Sequence, residues 1–406
     1  MSRARTSWLL SKPGKSKKEK DQPMHPLVKQ IQKEYPQERV CDSMDAHRNA
    51  WLRQRGGRIP FQFAGSALGN WDADEFTSMW YLHLNKSEDL LDYELRRILS
   101  RAPLQDDFIP LLSVHGRDGD ISTTFPGVYE VLNNDVFWMR TRIKDLRTIP
   151  SLEKPDFTRS PSIRRVLDCI QFFVKETGGS IPINASSIPG PAVMAGHLIG
   201  VESLMTAFFE YPAEVRQLID LCTDCIIDLY RLELEAAGGL LSPMSNMWFW
   251  MPQEAGIFLN EDTIQLLSPK IIESFFAPAY LRIAKSFGGM VIHSCGYWKA
   301  AQRTVVRSCG ATGIQAGLNE TPIKDQLEAI AGYEDRVVLN IHTCSGYATD
   351  LQGNPYPAPT ARELVNTLLP ELSQRGIFTC TIAPIDDLYV NIANTLAREA
   401  RQIRVV

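Results

Sequence analysis

The sequence predicts a (β/α)8 barrel, and three observations lead there. Eight short β-rich runs alternate with helical patterns along the chain. Several of those runs are almost continuously apolar, as parallel strands buried on both faces are. No glycine-rich fingerprint follows an early strand, which argues against an open, nucleotide-binding sheet.

The strand runs, in order, are "RIPFQFAG" near Pro60, "FIPLLSV" (108–114), "SIPINAS" (180–186) and "GLLSPMSNMWFW" (239–250). They continue with "GMVIHSC" from 289, "TGIQAGL" from 312, "RVVLNIH" from 336 and "GIFTCTIA" from 376. Helical patterns lie between them. The longest covers 200–237 and is broken by Pro212; others cover roughly 266–287, 298–308, 322–333, 360–375 and 386–402. Gly238, Gly288, Gly310, Gly332 and Gly376 each stand where a helix should end in a left-handed residue. Residues 115–160 form an excursion after the second strand, whose "HGRDGDISTTFPG" reads as a long loop over the barrel mouth.

Composition limits the function. The chain has 406 residues, 43 Lys and Arg against 47 Asp and Glu, and a net charge of −4. That balance does not suggest a nucleic-acid partner. No apolar run reaches the ~18 residues of a membrane span. The first twenty residues carry seven Lys or Arg and one Glu, with no apolar centre of a secretory signal. Residues 1–40 are expected to be a basic, flexible arm, and 41–406 a single barrel domain. The eight scattered cysteines, without a signal peptide, point to a reducing cytoplasmic setting. Oligomeric state is open, with a homodimer as one possibility.

His293 and Cys295 stand two apart at the end of the fifth predicted strand, so they share a face. Barrel active sites sit at that end of the strands. Cys380, in the eighth, supplies a third soft donor. A His and two thiolates suit zinc with an open fourth position, where a thiol substrate would bind as its reactive thiolate. A packed core without metal is the plainer reading of the same residues. His342 and Cys344 repeat the H-x-C spacing after the seventh strand; they line the pocket, or Cys344 replaces Cys380. Cys222 and Cys225 fit a helix core better than a redox pair. Glu254 is a candidate fourth ligand or proton shuttle, and Tyr297 a candidate catalytic hydroxyl. Trp248, Trp250 and Gln315 are candidates for gripping a cofactor.

"IHSCG" followed by a later cysteine resembles the uroporphyrinogen decarboxylase superfamily, closest to the zinc-dependent, corrinoid-linked methyltransferases of the methylcobamide:coenzyme M type. "IPGPAVMAGHLIGVESLMTAFFEYPAEVRQLI", "LLSPKIIESFFAPAYLRIAKSFGG" and "DDLYVNIANTLAREA" resemble further family segments. The resemblance implies a TIM barrel of that type, Zn2+ on His293, Cys295 and Cys380, and a methyl group moved between a corrinoid and a thiol. The chain has no D-x-H-x-x-G signature, so the corrinoid would arrive on a partner protein. The decarboxylase branch carries an arginine-rich early motif. Here "RIPFQFAGSALGNW" lacks it, "WLRQRGGR" (51–58) is the closest string, and Asp72 and Asp74 are the nearest acids to the first strand end. A decarboxylase and a non-catalytic binding barrel are the alternatives.

Overall fold

The computed structural model describes residues 25–64, 86–116, 118–133, 136–140, 143–245, 249–343, 359–385 and 389–406. Its parallel strands form two arcs. One has six strands in the order β1 (Phe61–Phe63), β11 (Thr379–Ala383), β10 (Val338–His342), β9 (Gly313–Gly317), β8 (Met290–His293) and β7 (Ile257–Asn260). The other joins β2 (Leu112–Ser113), β5 (Ile183–Asn184) and β6 (Leu241–Ser242). Backbone hydrogen bonds link the arcs at both seams. Asp107 N–H donates to Phe61 C=O (2.9 Å), and Asn260 N–H donates to Ile188 C=O (2.9 Å). The result is an α/β barrel of the TIM type.

The predicted helices form where the pattern placed them. The broken 200–237 stretch is α7 (Val201–Glu210) and α8 (Pro212–Ala237). Pro212 opens α8 at its first position, where a missing N–H costs nothing. Further along come α9 (Ala277–Phe287), α10 (Lys299–Ser308), α11 (Ile323–Ile330), α12 (Leu369–Gln374) and α13 (Val390–Ala400). All five expected glycines have positive φ. Gly256 (φ +103°) serves another purpose: any Cβ there would collide with the backbone of Gly289. The starts of β7 and β8 can approach only because both residues lack side chains.

Three differences from the sequence reading bear on the site. The strand β7 went unrecognised; its run "IFLN" follows β6 with only a single 3-10 turn, Gln253–Ala255, described between them. Residues 115–160 are more than a loop. They hold a short helix, α4 (Asp118–Ser122), and an antiparallel hairpin of β3 (Tyr129–Asn133) and β4 (Val136–Arg140). The expected arm also ends earlier than residue 40. Helices α1 (Pro26–Glu34) and α2 (Gln37–Trp51) pack on the barrel, burying Val28, Ile31, Tyr35 and Val40. The Lys-rich run hid an amphipathic pattern beginning at Pro26. Among the described residues no disulfide joins any cysteines, and Cys222 and Cys225 lie in the core of α8. No single described helix is long and apolar enough to cross a membrane.

Candidate active site at the C-terminal end of the barrel

Strand register places five residues in one row: Asn260, His293, Gln315, Asn340 and Cys380. Residues paired across parallel strands share a face, and this face is the barrel's inside. Gln315 Nε2 lies 3.7 Å from Met244 Sδ, which reaches it from the opposite arc. Gln315 Nε2 also donates to Asn340 Oδ1, and Asn340 Nδ2 to Cys380 C=O (3.0 Å). Asn260 Nδ2 donates to the hydroxyls of Ser187 and Ser245. An inside lined by neutral amides needs such pairing, because each unmet polar group in a core is costly.

His293 is the last residue of β8 and is buried. Its ring stacks on Phe258 of β7, centroids 6.3 Å apart. Its Nε2 lies 3.3 Å from Cys295 Sγ. Asp262, two residues beyond β7, completes the group. One ligand atom from each of Asp262, His293 and Cys295 lies within 4.8 Å of the others. Two hydrogen bonds hold these strand ends together. Glu261 N–H donates to His293 C=O (2.8 Å), and Cys295 N–H donates to Asp262 Oδ1 (2.7 Å). Burial lowers the His293 pKa, with the Asp262 charge and Gln315 opposing. A neutral imidazole is the form that binds a metal.

The three residues could hold a cation. Nitrogen and sulfur bonded to one tetrahedral zinc at about 2.1 and 2.3 Å stand about 3.5 Å apart, close to the 3.3 Å observed. Thiolate and carboxylate together would neutralise a dication. Cys380 is not in this group. It is the second residue of β11, three short of the strand's end, whereas His293 ends its own strand. Its thiol is fully buried, and burial pushes its pKa well above the ordinary value. The sequence reading had treated both as strand-end residues.

The other candidates divide between the two ends of the barrel. His342 ends β10, with its ring centroid 6.2 Å from that of His293. Burial and the neighbouring His293 bring its pKa down to about 3, and neither ring nitrogen has a hydrogen-bond partner among the described residues. Strand β9 runs between the strands that carry these histidines, with Gln315 in register with His293 and Gly317 in register with His342. Tyr297 is on the surface instead, its hydroxyl donating to Asp325 (3.1 Å), which also binds Lys299 (2.8 Å). The loop after β8 turns outward at Gly296, so Tyr297 leaves the mouth. Glu254 is exposed in the turn before β7, at the opposite end of the strands. Trp250 is buried against His47 and Arg48 of α2. That helix covers the strand starts, where Trp51 touches Gly313. Trp248, Cys344, Asp72 and Asp74 lie outside the described residues.

Sequence reasoning missed three acids at the mouth. Glu261 is buried, accepting N–H bonds from Ala192 (2.7 Å) and Val193 (3.2 Å) and an O–H bond from Tyr280. It thereby caps α6 (Pro191–Ile199), whose own N-cap, Gly190, has no side chain to do so. Burial raises its pKa to about 7 despite those donors. Asp262 follows it. Glu320, after β9, is half-buried; burial raises its pKa, and Gly296 and Gly317 N–H groups oppose. The signal for the first two was "ED" after an apolar run, legible once that run is known to be a strand.

A parallel barrel with a His–Cys–Asp cluster at the C-terminal strand ends has the architecture of a (β/α)8 enzyme. The chain belongs to the uroporphyrinogen decarboxylase (URO-D) family, whose match spans residues 138–354, over half its length. Among solved structures, a methyltransferase from Methanosarcina mazei has the same fold. Its TM-score is 0.58 and its identity 17%, covering 86% of this chain and 96% of that one. No curated protein matches the chain in sequence.

Proposed function

We propose that this chain is a metal-dependent methyltransferase of the URO-D family, acting on a thiol or similarly soft nucleophile. The observation that carries the reading is the convergence of Asp262, His293 and Cys295 at the end of β8. Zinc, when bound by these residues, supplies a Lewis acid that holds the nucleophile as its anion. The remaining work falls to the chain. Phe258 and the row of amides fix the His293 ring. Asp262 ties the Cys295 loop to the β7 end. The dense barrel interior keeps water away from below. The corrinoid implied by the resemblance would come on a partner protein, since the sequence has no signature for holding one.

The decarboxylase reading needs cations at the mouth to neutralise a polycarboxylate. The buried arginines Arg58, Arg97 and Arg101 are each engaged by an acid, namely Asp107, Glu94 and Asp106. That leaves them poor candidates for substrate carboxylates and favours the methyltransferase.

The test combines metal analysis with transfer of a labelled methyl group. Protein purified under reducing, chelator-free conditions should bind about one zinc per chain. His293→Ala and Cys295→Ala should lose both the metal and the transfer. A metal-free wild type, or a Cys295→Ala chain that still transfers methyl, would refute the proposal.

A further inference from the structure

We propose that His342 selects the substrate: the thiol held at the metal carries a second, uncharged polar group, a hydroxyl or an amide on a short spacer, that hydrogen-bonds to this imidazole. The inference rests on the function proposed above and names the substrate class of that same site.

The first observation is position. Asn340 and His342 stand two apart on β10, so they share its inward face. His342 lies one step nearer the mouth, in register with Gly317 and Ile382. Its ring centroid is 6.2 Å from that of His293, so a small molecule bound at Asp262, His293 and Cys295 comes within reach of it. Asp262 and Cys295 are exposed, which leaves that group open to an incoming ligand. Gly317 adds no side chain to the inner face beside His342. A Cβ there would lie 2.9 Å from Asn319 Oδ1, so its absence lets Asn319 fold back over the end of β9.

The second observation is an imidazole with nothing to bind. His342 is 4% exposed, and neither of its nitrogens has a hydrogen-bond partner among the described residues. In its neutral form it offers one N–H donor and one bare nitrogen that accepts. Leaving both unmet in a core is costly. The amides of Asn260, Gln315 and Asn340, on the same inner wall, donate to protein partners instead. A carboxylate only accepts and an ammonium only donates, whereas a hydroxyl or an amide does both. Charge points the same way. The connections after β5, β7, β8 and β9 (185–190, 261–268, 294–298 and 318–322) are fully described and hold no Lys or Arg. The Cys295 thiolate and the Asp262 carboxylate already offset a dication, so an incoming thiolate leaves the centre negative. A second anionic group on the substrate would sit beside that charge with no cation from these connections to offset it.

Calorimetry on full-length, zinc-loaded protein, kept reduced with a phosphine, tests this with three thiols of similar size: 2-mercaptoethanol, 1-propanethiol and 3-mercaptopropionate. 2-Mercaptoethanol should bind at least about tenfold tighter than 1-propanethiol, the isostere that leaves the imidazole unmet. It should also bind tighter than 3-mercaptopropionate. His342→Leu should bring 2-mercaptoethanol and 1-propanethiol to within about twofold of each other, with zinc content unchanged by metal analysis. His342→Gln, which keeps a donor and an acceptor, should retain part of the preference. Equal or tighter binding of 1-propanethiol or 3-mercaptopropionate by the wild type overturns the inference, as does an undiminished preference in His342→Leu. Zinc uptake without that preference sinks this inference alone. A chain that takes up no zinc sinks the proposed function and this inference with it.

Discussion

Replacing Glu261 by glutamine is expected to remove a pH-dependent part of the chain's stability. The carboxyl is fully buried, and its pKa rises from the ordinary 4.5 to about 7. In the unfolded chain it ionises near 4.5, while in the folded chain it keeps its proton until about 7. Between those limits the folded state binds more protons, so stability falls as pH rises. At about 1.4 kcal/mol for each tenfold change in proton affinity, the full loss is about 3 kcal/mol. It is present below pH 4.5 and gone above 7. Glu233, also buried and raised to about 7, acts in the same direction. Only the difference between wild type and Glu261→Gln isolates the one group. Urea unfolding at acidic and at mildly alkaline pH measures it. Glutamine places an NH2 against the Val193 N–H, costing about 1–3 kcal/mol at acidic pH. That gap should narrow or reverse on the alkaline side. A second variant extends the window: Tyr280→Phe removes a donor to the carboxylate and should carry the loss to higher pH. A gap between wild type and Glu261→Gln that stays constant with pH would refute the reasoning.

Other substitutions probe the site and the fold. Cys380→Ser should keep one zinc per chain, read by metal analysis, while a hydroxyl in that core position costs about 1–3 kcal/mol by urea unfolding; loss of the metal would restore Cys380 as a ligand. Gly256→Ala sets a side chain against the Gly289 backbone at φ +103° and should cost more than about 4 kcal/mol; a soluble variant with an unchanged unfolding midpoint would contradict the packing. A chain beginning at residue 41 loses the buried Val28, Ile31 and Tyr35, at about 1.5–3 kcal/mol for each large apolar side chain. It should unfold earlier in urea, and an unaltered midpoint would return α1 to the expected arm.

Helix patterns survived translation into structure better than strands did. Amphipathic periodicity over ten or more residues marks α8, α10 and α13, and a glycine just past each of several ends fixes the boundary. Strands of two to five residues carry too few positions for a period. The run "IFLN" therefore falls between the predicted strand at 239–250 and the predicted helix at 266–287, assigned to neither, and β7 is lost. That single omission hid Glu261 and Asp262, because an acid pair after a loop carries no positional meaning, whereas after a barrel strand it marks the mouth. Cys380 shows the opposite error. Its position in the last strand was legible, but its depth was not. A strand's inward face is set by parity, while height in the barrel depends on where pairing stops. The aromatic run around Trp250 had two possible ends to close, and only the packing of α2 against it decides for the strand starts.

A His–Cys–Asp ligand set would alter the chemistry that a His–Cys–Cys set supplies. Both carry two negative charges, so either leaves a bound dication formally neutral. A carboxylate gives less electron density to the metal than a thiolate, being the harder ligand. The cation would remain more electrophilic and would hold an incoming thiol more firmly as its anion, at the expense of that anion's nucleophilicity. Lost nucleophilicity must be regained from the other reactant, through a methyl group on a good leaving group. A positively charged donor, which leaves as a neutral molecule, meets that requirement. On this argument, converting Asp262 to Cys should tighten zinc and raise the reactivity of the bound thiolate towards a neutral alkylating agent. A variant that binds zinc more tightly yet alkylates no faster would break the link between ligand set and donor.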